Sequence, residues 1–251
     1  MQAPGNRFNL TLALRPTIYF FRGFNMSVYL YSGTVGSGKS LLATYHIWDC
    51  LFSRKNVIAN FPINTDYAKR RKIGQFFYKP SQEITPAFLV RFSLQNHVHT
   101  GSKRKKMQTL LVIDEAELLF NSREWGKQDR LSWIFFFSHS RKLNYDVILI
   151  AQNDKMLDRQ VRAQCEKEYR CRSLGMFGTL GKVANFLLGG LFCAVVYEYT
   201  AHVKLLMPKF YRLHRRMAAT YDTMMLFEDA EEQVKQLEAL TKKGAGKSAA
   251  V

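Results

Sequence analysis

Residues 33–40 read Gly-Thr-Val-Gly-Ser-Gly-Lys-Ser, the G-x-x-x-x-G-K-S pattern of a phosphate-binding loop. The glycines permit backbone conformations that a Cβ would forbid, so successive N–H groups can turn inward around phosphate oxygens. Lys39 is expected to reach the β- and γ-phosphates of ATP, and the Ser40 hydroxyl is expected to bind Mg²⁺. The residues predicted to bind the nucleotide are Gly33, Thr34, Val35, Gly36, Ser37, Gly38, Lys39, Ser40 and Leu41.

A second set of residues that could do chemistry is Asp114-Glu115, which follows the apolar run at 109–113. An apolar strand that ends in Asp-Glu is the Walker B pattern. Asp114 is expected to lie beside Ser40 and to hold the Mg²⁺ through water. Glu115 is expected to orient and deprotonate the water that attacks the γ-phosphate. The alternative is a strand that merely ends in acidic residues, with Glu115 or Glu117 starting a helix.

A strand is predicted at 146–152; it is apolar from 147 to 151, ends in Gln152 and follows Arg141. Gln152 is expected to stand near the γ-phosphate and to sense its presence; the alternative is a glutamine that only satisfies backbone groups. Arg141 would lie at the opposite end of this strand, so it is the first candidate for an arginine finger that serves a neighbouring subunit. Arg123 is the second candidate, and a surface arginine without a special role remains the alternative for both.

These residues need strands and helices to position them. The apolar runs at 28–32, 56–63, 109–113 and 146–151 predict strands, and those at 109–113 and 146–151 are apolar enough to be buried on both faces. A helix is predicted from about Lys39 to Asp49, so that its positive end points at the phosphates. The predicted fold class is α/β: a P-loop NTPase of the additional-strand, catalytic-glutamate type, with a mostly parallel central sheet flanked by helices.

Further elements are predicted from local signals. Thr85 and Pro86 mark a helix start, and residues 129–139 read as a helix that is apolar nearly all round and therefore buried. Residues 159–171 predict a short helix followed by a strand. Residues 208–219 predict a basic amphipathic helix.

The apolar segment at 183–197 could be a strand or a short membrane helix. Its uninterrupted part, residues 186–197, falls short of the ~20 residues that a span requires. The glycines at 189 and 190 and the β-branched Val195 and Val196 favour a strand.

Composition adds two constraints. The formal net charge of +17 favours a polyanionic partner such as nucleic acid, or an anionic membrane surface. The four cysteines are Cys50, Cys165, Cys171 and Cys193, whose scattered spacing matches neither a metal site nor a disulfide framework. They indicate a reducing compartment, and no metal site is predicted beyond the nucleotide-bound Mg²⁺.

Four segments are expected along the chain. Residues 1–25 form an N-terminal extension, with Met26 as an alternative start, and no secretion signal is predicted there. Residues 26–226 form the P-loop ATPase domain. Residues 227–240 predict an acidic C-terminal helix, and residues 241–251 predict a disordered basic tail.

The phosphate-binding loop, the Val-Ile-Asp-Glu-Ala strand, the segment at 138–152 and the Tyr-Asp-Thr at 221–223 together resemble the zonular occludens toxin family. This is the family of filamentous-phage assembly ATPases in the FtsK–HerA branch of P-loop motors. The resemblance covers residues 27–225. Members from phages of Gram-negative hosts usually continue into a membrane span and a periplasmic domain, for which this chain lacks the length.

The resemblance implies an ATP-hydrolysing motor that extrudes phage through the host inner membrane. It further implies a homo-oligomeric ring, phage single-stranded DNA and coat proteins as partners, and a place in the host cytoplasm, peripheral to the inner membrane, with a span at 183–199 as the less favoured alternative. Two other functions stay open. One is a cytosolic DNA-translocating ATPase of the same branch. The other is a nucleotide-gated scaffold with little turnover, against which Glu115 argues, because a pure binder needs no base beside Asp114.

Overall fold

The computed structural model describes residues 28–69, 71–100, 107–121, 127–187, 189–199, 203–204, 208–214 and 219–221. The strands are β1 (Val28–Ser32), β2 (Asn56–Ala59), β3 (Phe76–Tyr78), β4 (Thr109–Ile113), β5 (Tyr145–Ala151), β6 (Cys165–Ser173), β7 (Leu191–Glu198), β8 (Val203–Lys204) and β9 (Lys209–Arg212). The helices are α1 (Lys39–Phe52), α2 (Pro86–Asn96), α3 (Ala116–Leu119), α4 (Lys127–His139), α5 (Arg159–Arg162) and α6 (Gly178–Leu187). Single 3₁₀ turns lie at Thr65–Ala68, Asp154–Met156 and Leu174–Met176.

The strands form one sheet in the order β3-β2-β4-β5-β1-β6-β7-β8, with β9 also paired to β7. Neighbouring strands from β3 to β6 run parallel, whereas β7 is antiparallel to β6, β8 and β9. Strand β5 lies between β1, which leads into the phosphate-binding loop, and β4, which leads to the acidic pair. This insertion is the additional strand expected from the sequence. The predicted α/β fold with a mostly parallel sheet is confirmed.

Every residue of β1, β4 and β5 is buried, because helices cover both faces of the sheet. On one face α1 packs against the sheet through Leu42, Ile47 and Trp48. On the other face α2 and α4 contribute Leu89 and Phe136 among others. The parallel strands therefore end together at one edge, where the loops that follow them meet.

Helix α2 begins as its sequence predicts. The Thr85 hydroxyl accepts a hydrogen bond from the backbone N–H of Phe88 at 3.2 Å, and Pro86 occupies the first helical position. This cap satisfies one of the backbone donors that a helix start leaves unpaired. The predicted short helix and strand at 159–171 are also confirmed, as α5 and β6.

Helix α4 is less buried than its composition predicts. Trp133, Phe136 and Phe137 pack into the core, but Leu131 is 67% exposed and Phe135 is 60% exposed. The prediction of burial nearly all round is wrong because α4 covers the sheet from one side, and no second layer of described residues covers its outer surface.

The apolar segment at 183–197 is neither one continuous strand nor a membrane helix. Residues 183–187 are the end of α6, and β7 starts at Leu191. Gly189 and Gly190 have φ angles of 66° and 89°, which break the helix and turn the chain into the sheet. Across the described residues, no helix combines the length and the apolarity that crossing a membrane requires.

The predicted basic helix at 208–219 is wrong where the structure describes it. Lys209–Arg212 forms β9, in which Phe210 is exposed and Tyr211 is buried. Pairing with Leu191–Ala194 of β7 supplies the strand's hydrogen bonds, and this long-range contact overrides the local helical pattern. Residues 215–218 lie outside the described residues, as do the predicted extension at 1–25, the acidic helix at 227–240 and the tail at 241–251.

Candidate nucleotide-binding site

The loop between β1 and α1 has the backbone of a phosphate cradle. Gly33, Gly36 and Gly38 have φ angles of 146°, 73° and 89°, all in the region that favours glycine. Space matters as well at Gly38, because a Cβ there would come within 2.6 Å of the Phe192 ring. The loop therefore depends on glycine for its conformation and, at its last turn, for its packing against β7.

The polar groups of the loop fit a bound phosphate. The Lys39 ammonium donates to the backbone oxygens of Gly33 at 2.7 Å and Thr34 at 3.0 Å, so it lies over the loop's own opening. The Ser37 hydroxyl is fully buried and makes no hydrogen bond within the described part of the chain. The first turn of α1 carries no carboxylate to neutralise its positive end. The loop thus combines the Lys39 ammonium, backbone N–H donors and the positive end of α1. These groups together suit a polyphosphate ligand.

The loop meets the end of β4 at Asp114. The Ser40 hydroxyl donates to Asp114 Oδ2 at 3.2 Å, although β5 separates the strands that lead to these residues. Hydroxyl and carboxylate oxygens are the ligands that Mg²⁺ prefers, directly or through its water shell. The donor set therefore fits Mg²⁺. Among the described residues, no group of three or more His, Cys, Asp or Glu side chains is placed to hold a metal ion.

Two residues that contact Asp114 have no role predicted from the sequence. Asn60 Nδ2 donates to the backbone oxygen of Asp114 at 2.8 Å, and Asn60 Oδ1 accepts from its backbone N–H at 2.7 Å. The Tyr221 hydroxyl donates to Asp114 Oδ2 at 3.1 Å. The strand predicted at 56–63 contains Asn60, but β2 ends at Ala59, so Asn60 follows the end of its strand as Gln152 follows β5. Tyr221 belongs to the Tyr-Asp-Thr that resembles the family, but nothing local signals its contact.

The two glutamates after Asp114 have different surroundings. Glu115 is exposed and has a φ of 48°, a left-handed conformation immediately before α3. Desolvation first, and then the negative charges of Asp114 and Glu117, raise the pKa of the Glu115 carboxyl. The positive charge of Lys39 opposes this shift in the Glu115 pKa.

Glu117 is buried, and its Oε1 accepts from the backbone N–H of Gln152 at 3.2 Å. One carboxylate oxygen of Glu117 is thus bound to the backbone just after β5, and the other, Oε2, is buried without a hydrogen bond among the described residues. Of the two glutamates, Glu115 is therefore the one whose carboxylate is open to solvent.

Strand β5 places the two remaining candidates at opposite ends. Gln152 follows β5 with an exposed side chain, and its backbone oxygen accepts from the N–H of Gly33 at 3.4 Å. Arg141 lies before β5, is half-exposed and forms an ion pair with Glu166. The seven residues of β5 put about 20 Å between the two ends. Arg141 is therefore remote from the nucleotide site of its own chain, and Arg123 lies outside the described residues.

The sequence matches the family model described as zonular occludens toxin (Zot) over residues 27–187, which include the loop, the acidic pair and β5. The chain belongs to the Zot family. The gene 1 protein of Escherichia phage If1 is 29% identical over 220 residues, covering 82% of this chain and 61% of that protein. The gene 1 protein of Enterobacteria phage I2-2 is 33% identical over 175 residues, covering 66% of this chain and 46% of that protein.

This Zot-family chain therefore matches only about half to three fifths of the length of these two relatives. Among solved structures, the N-terminal domain of zonular occludens toxin from Neisseria meningitidis superposes with a TM-score of 0.48 at 14% identity. The superposition covers 78% of this chain and 98% of that domain.

Proposed function

We propose that this Zot-family chain binds ATP with Mg²⁺ and hydrolyses it as the motor of filamentous-phage assembly. The observation that carries the proposal is the 3.2 Å contact between Ser40 and Asp114, because it joins the phosphate-binding loop to the acidic strand end. Glu115 follows directly, so phosphate-binding, metal-binding and proton-accepting groups share one edge of the sheet. A protein that only bound nucleotide would not need the last of these.

Each residue has a distinct task in this reaction. The loop's N–H groups and the Lys39 ammonium bind the terminal phosphates. Ser40 and Asp114 hold Mg²⁺, which when bound neutralises charge on the phosphate oxygens. Glu115 accepts the proton of the attacking water on a carboxylate oxygen, and its raised pKa makes it the better base. The Gln152 side chain extends from the neighbouring strand end and senses the γ-phosphate.

The test measures nucleotide binding by calorimetry and phosphate release from ATP for the wild-type protein and three variants, one of which is a control. Lys39→Ala should abolish nucleotide binding in calorimetry, whereas Lys69→Ala, which removes the same charge from an exposed pair with Asp66, should leave binding unchanged. Glu115→Gln should bind ATP and hydrolyse it about a hundredfold more slowly, the scale expected for losing a positioned base. If Glu115→Gln turns over at the wild-type rate, Glu115 is not the base.

The assembly role rests on family membership and on the net charge of +17, which suits DNA as the polymer moved. The proposal includes a homo-oligomeric ring at the cytoplasmic face of the host inner membrane, with phage single-stranded DNA and coat proteins as partners. Stimulation of hydrolysis by single-stranded phage DNA and coat protein is the expected result. Stimulation by duplex DNA alone would instead indicate a cytosolic DNA-translocating ATPase.

A further inference from the structure

The turn at residues 219–221 is fixed against the body of the domain. Thr220 is buried, and its hydroxyl accepts from Trp48 Nε1 of α1 at 3.0 Å. Its backbone oxygen accepts from the N–H of Asn64 at 2.9 Å. The Tyr221 ring packs edge-on against Phe61, with 5.0 Å between ring centroids. These three contacts hold the turn without any help from the Tyr221 hydroxyl.

That hydroxyl reaches the carboxylate expected to hold the metal. Tyr221 Oη donates to Asp114 Oδ2 at 3.1 Å, and the same oxygen accepts from the Ser40 hydroxyl at 3.2 Å. The other oxygen, Oδ1, accepts from the backbone N–H of Glu115 at 2.9 Å. The two carboxylate oxygens of Asp114 therefore have different partners. Oδ1 is bound to the backbone of Glu115, and Oδ2 points toward Ser40.

We propose that Tyr221 is a positioning residue that keeps Asp114 Oδ2 aimed at the metal position, an inference that rests on the proposed function. When the Ser40 oxygen turns to a cation, its hydroxyl no longer restrains Asp114. Among the described residues, the Tyr221 hydroxyl then remains as the side-chain donor that fixes the carboxylate's rotation. Donors of this kind orient metal-binding groups and tune their affinity.

The contacts that hold the turn do not involve the Tyr221 hydroxyl, so the hydroxyl can be removed without releasing the turn. Tyr221→Phe keeps the ring against Phe61 and both hydrogen bonds of Thr220, so the turn should stay in place. Tyr145→Phe is the matched control, because its hydroxyl also makes one hydrogen bond, to the backbone oxygen of Leu89 at 2.8 Å. That bond lies at the start of β5, away from the phosphate-binding loop.

The measurement is the affinity of Mn²⁺ for the complex of each protein with a non-hydrolysable ATP analogue, by calorimetry or paramagnetic resonance. Tyr221→Phe should weaken Mn²⁺ binding about tenfold, as expected for losing an outer partner of a metal-binding group. Its affinity for the analogue without metal should be unchanged. Tyr145→Phe should alter neither affinity. Unchanged Mn²⁺ affinity in a folded Tyr221→Phe protein overturns the proposal.

A double-variant cycle checks that Tyr221 acts through Asp114. Asp114→Ala removes the acceptor, so adding Tyr221→Phe should weaken Mn²⁺ binding no further. A further loss of similar size in the double variant would also overturn the proposal, since the hydroxyl would then act elsewhere. If the wild type binds no nucleotide with metal, the proposed function itself fails, and that result is distinct from equal binding by wild type and Tyr221→Phe.

Discussion

Asn60 is hydrogen-bonded to both backbone polar groups of Asp114. It follows β2, which pairs with β4 in the sheet, so its side chain continues the ladder by one step after the strands have ended. The backbone of Asp114 is thereby held at the point where the chain leaves β4. The carboxylate's direction toward Ser40 depends on this restraint as well as on Tyr221.

Asn60→Ala should destabilise the domain by about 1–3 kcal/mol, because it leaves the backbone groups of Asp114 without their partner. It should also weaken Mn²⁺ binding to the nucleotide complex. Denaturant unfolding measures the first effect. Asn96→Ala is the control, since within the described part of the chain that amide donates to the backbone oxygen of Phe92 in its own helix and should matter less. Equal destabilisation by the two variants would contradict the special role of Asn60.

Hydrolysis should depend on pH through Glu115. Its pKa is raised above the ordinary 4.5, so the rate should rise with pH along a limb centred above that value. Glu117 contributes to this shift by its negative charge. Glu117→Gln keeps an oxygen that accepts from the N–H of Gln152 but removes the negative charge of Glu117. The pKa of Glu115 should then fall, so the rising limb of the rate profile should move to lower pH. Rate profiles from pH 4 upward measure this, and a limb unmoved by Glu117→Gln would show that Glu115 is not the titrating group.

The same shift predicts a cost in stability. The pKa of Glu115 is higher in the folded protein than in the unfolded chain, so ionisation of this carboxyl opposes folding. Stability is therefore lost as the pH rises from the pKa of the unfolded state through that of the folded state. Glu115→Gln should therefore have a higher Tm than wild type at neutral pH and nearly the same Tm near pH 4. Calorimetric scans at both pH values measure the difference. A Tm gain of the same size at both would contradict this explanation.

Arg141 is expected to act on a neighbour's nucleotide if it acts as a finger. An arginine finger contributes about 10³-fold or more in rate, so Arg141→Ala should be nearly inactive. Mixing Arg141→Ala subunits with Glu115→Gln subunits should restore some hydrolysis, because some interfaces then pair an intact Arg141 with an intact Glu115. Arg91→Ala, an exposed arginine on α2, is the control and should remain active.

Two results would exclude Arg141 as the finger: full activity of Arg141→Ala alone, or a mixture as inactive as its components. The ion pair with Glu166 does not confound this test through stability, because exposed pairs contribute little to folding.

The sequence predicts the part of the site that lies at the ends of buried strands. Asp114 and Gln152 could be placed at one sheet edge because unbroken apolar runs precede them and parallel strands end together. Tyr221 could not be placed in the same way, since its contact with Asp114 joins residues 107 positions apart. No local periodicity encodes such a contact.

Strand β9 shows how a local sequence pattern can give a wrong prediction when a long-range contact decides the structure. The apolar and basic residues at 208–219 fit a helical pattern, and the helix prediction used only that pattern. What decides the structure is β7, whose free edge accepts Lys209–Arg212 and buries Tyr211. Similarly, Gly189 and Gly190 lie in a segment predicted as a strand, but their positive φ angles instead end α6 before β7 begins.

The return of β9 to the phosphate-binding loop has a consequence for synthesis on the ribosome. The Tyr211 hydroxyl donates to the backbone oxygen of Gly38, a partner translated 173 residues earlier. At 5–20 residues per second, roughly 10–35 s pass between the appearance of the two groups. During that interval the loop lacks the stacked rings of Phe192 and Tyr211 beside Gly38. A nascent chain therefore carries its most recognisable motif long before it can complete the surroundings of that motif.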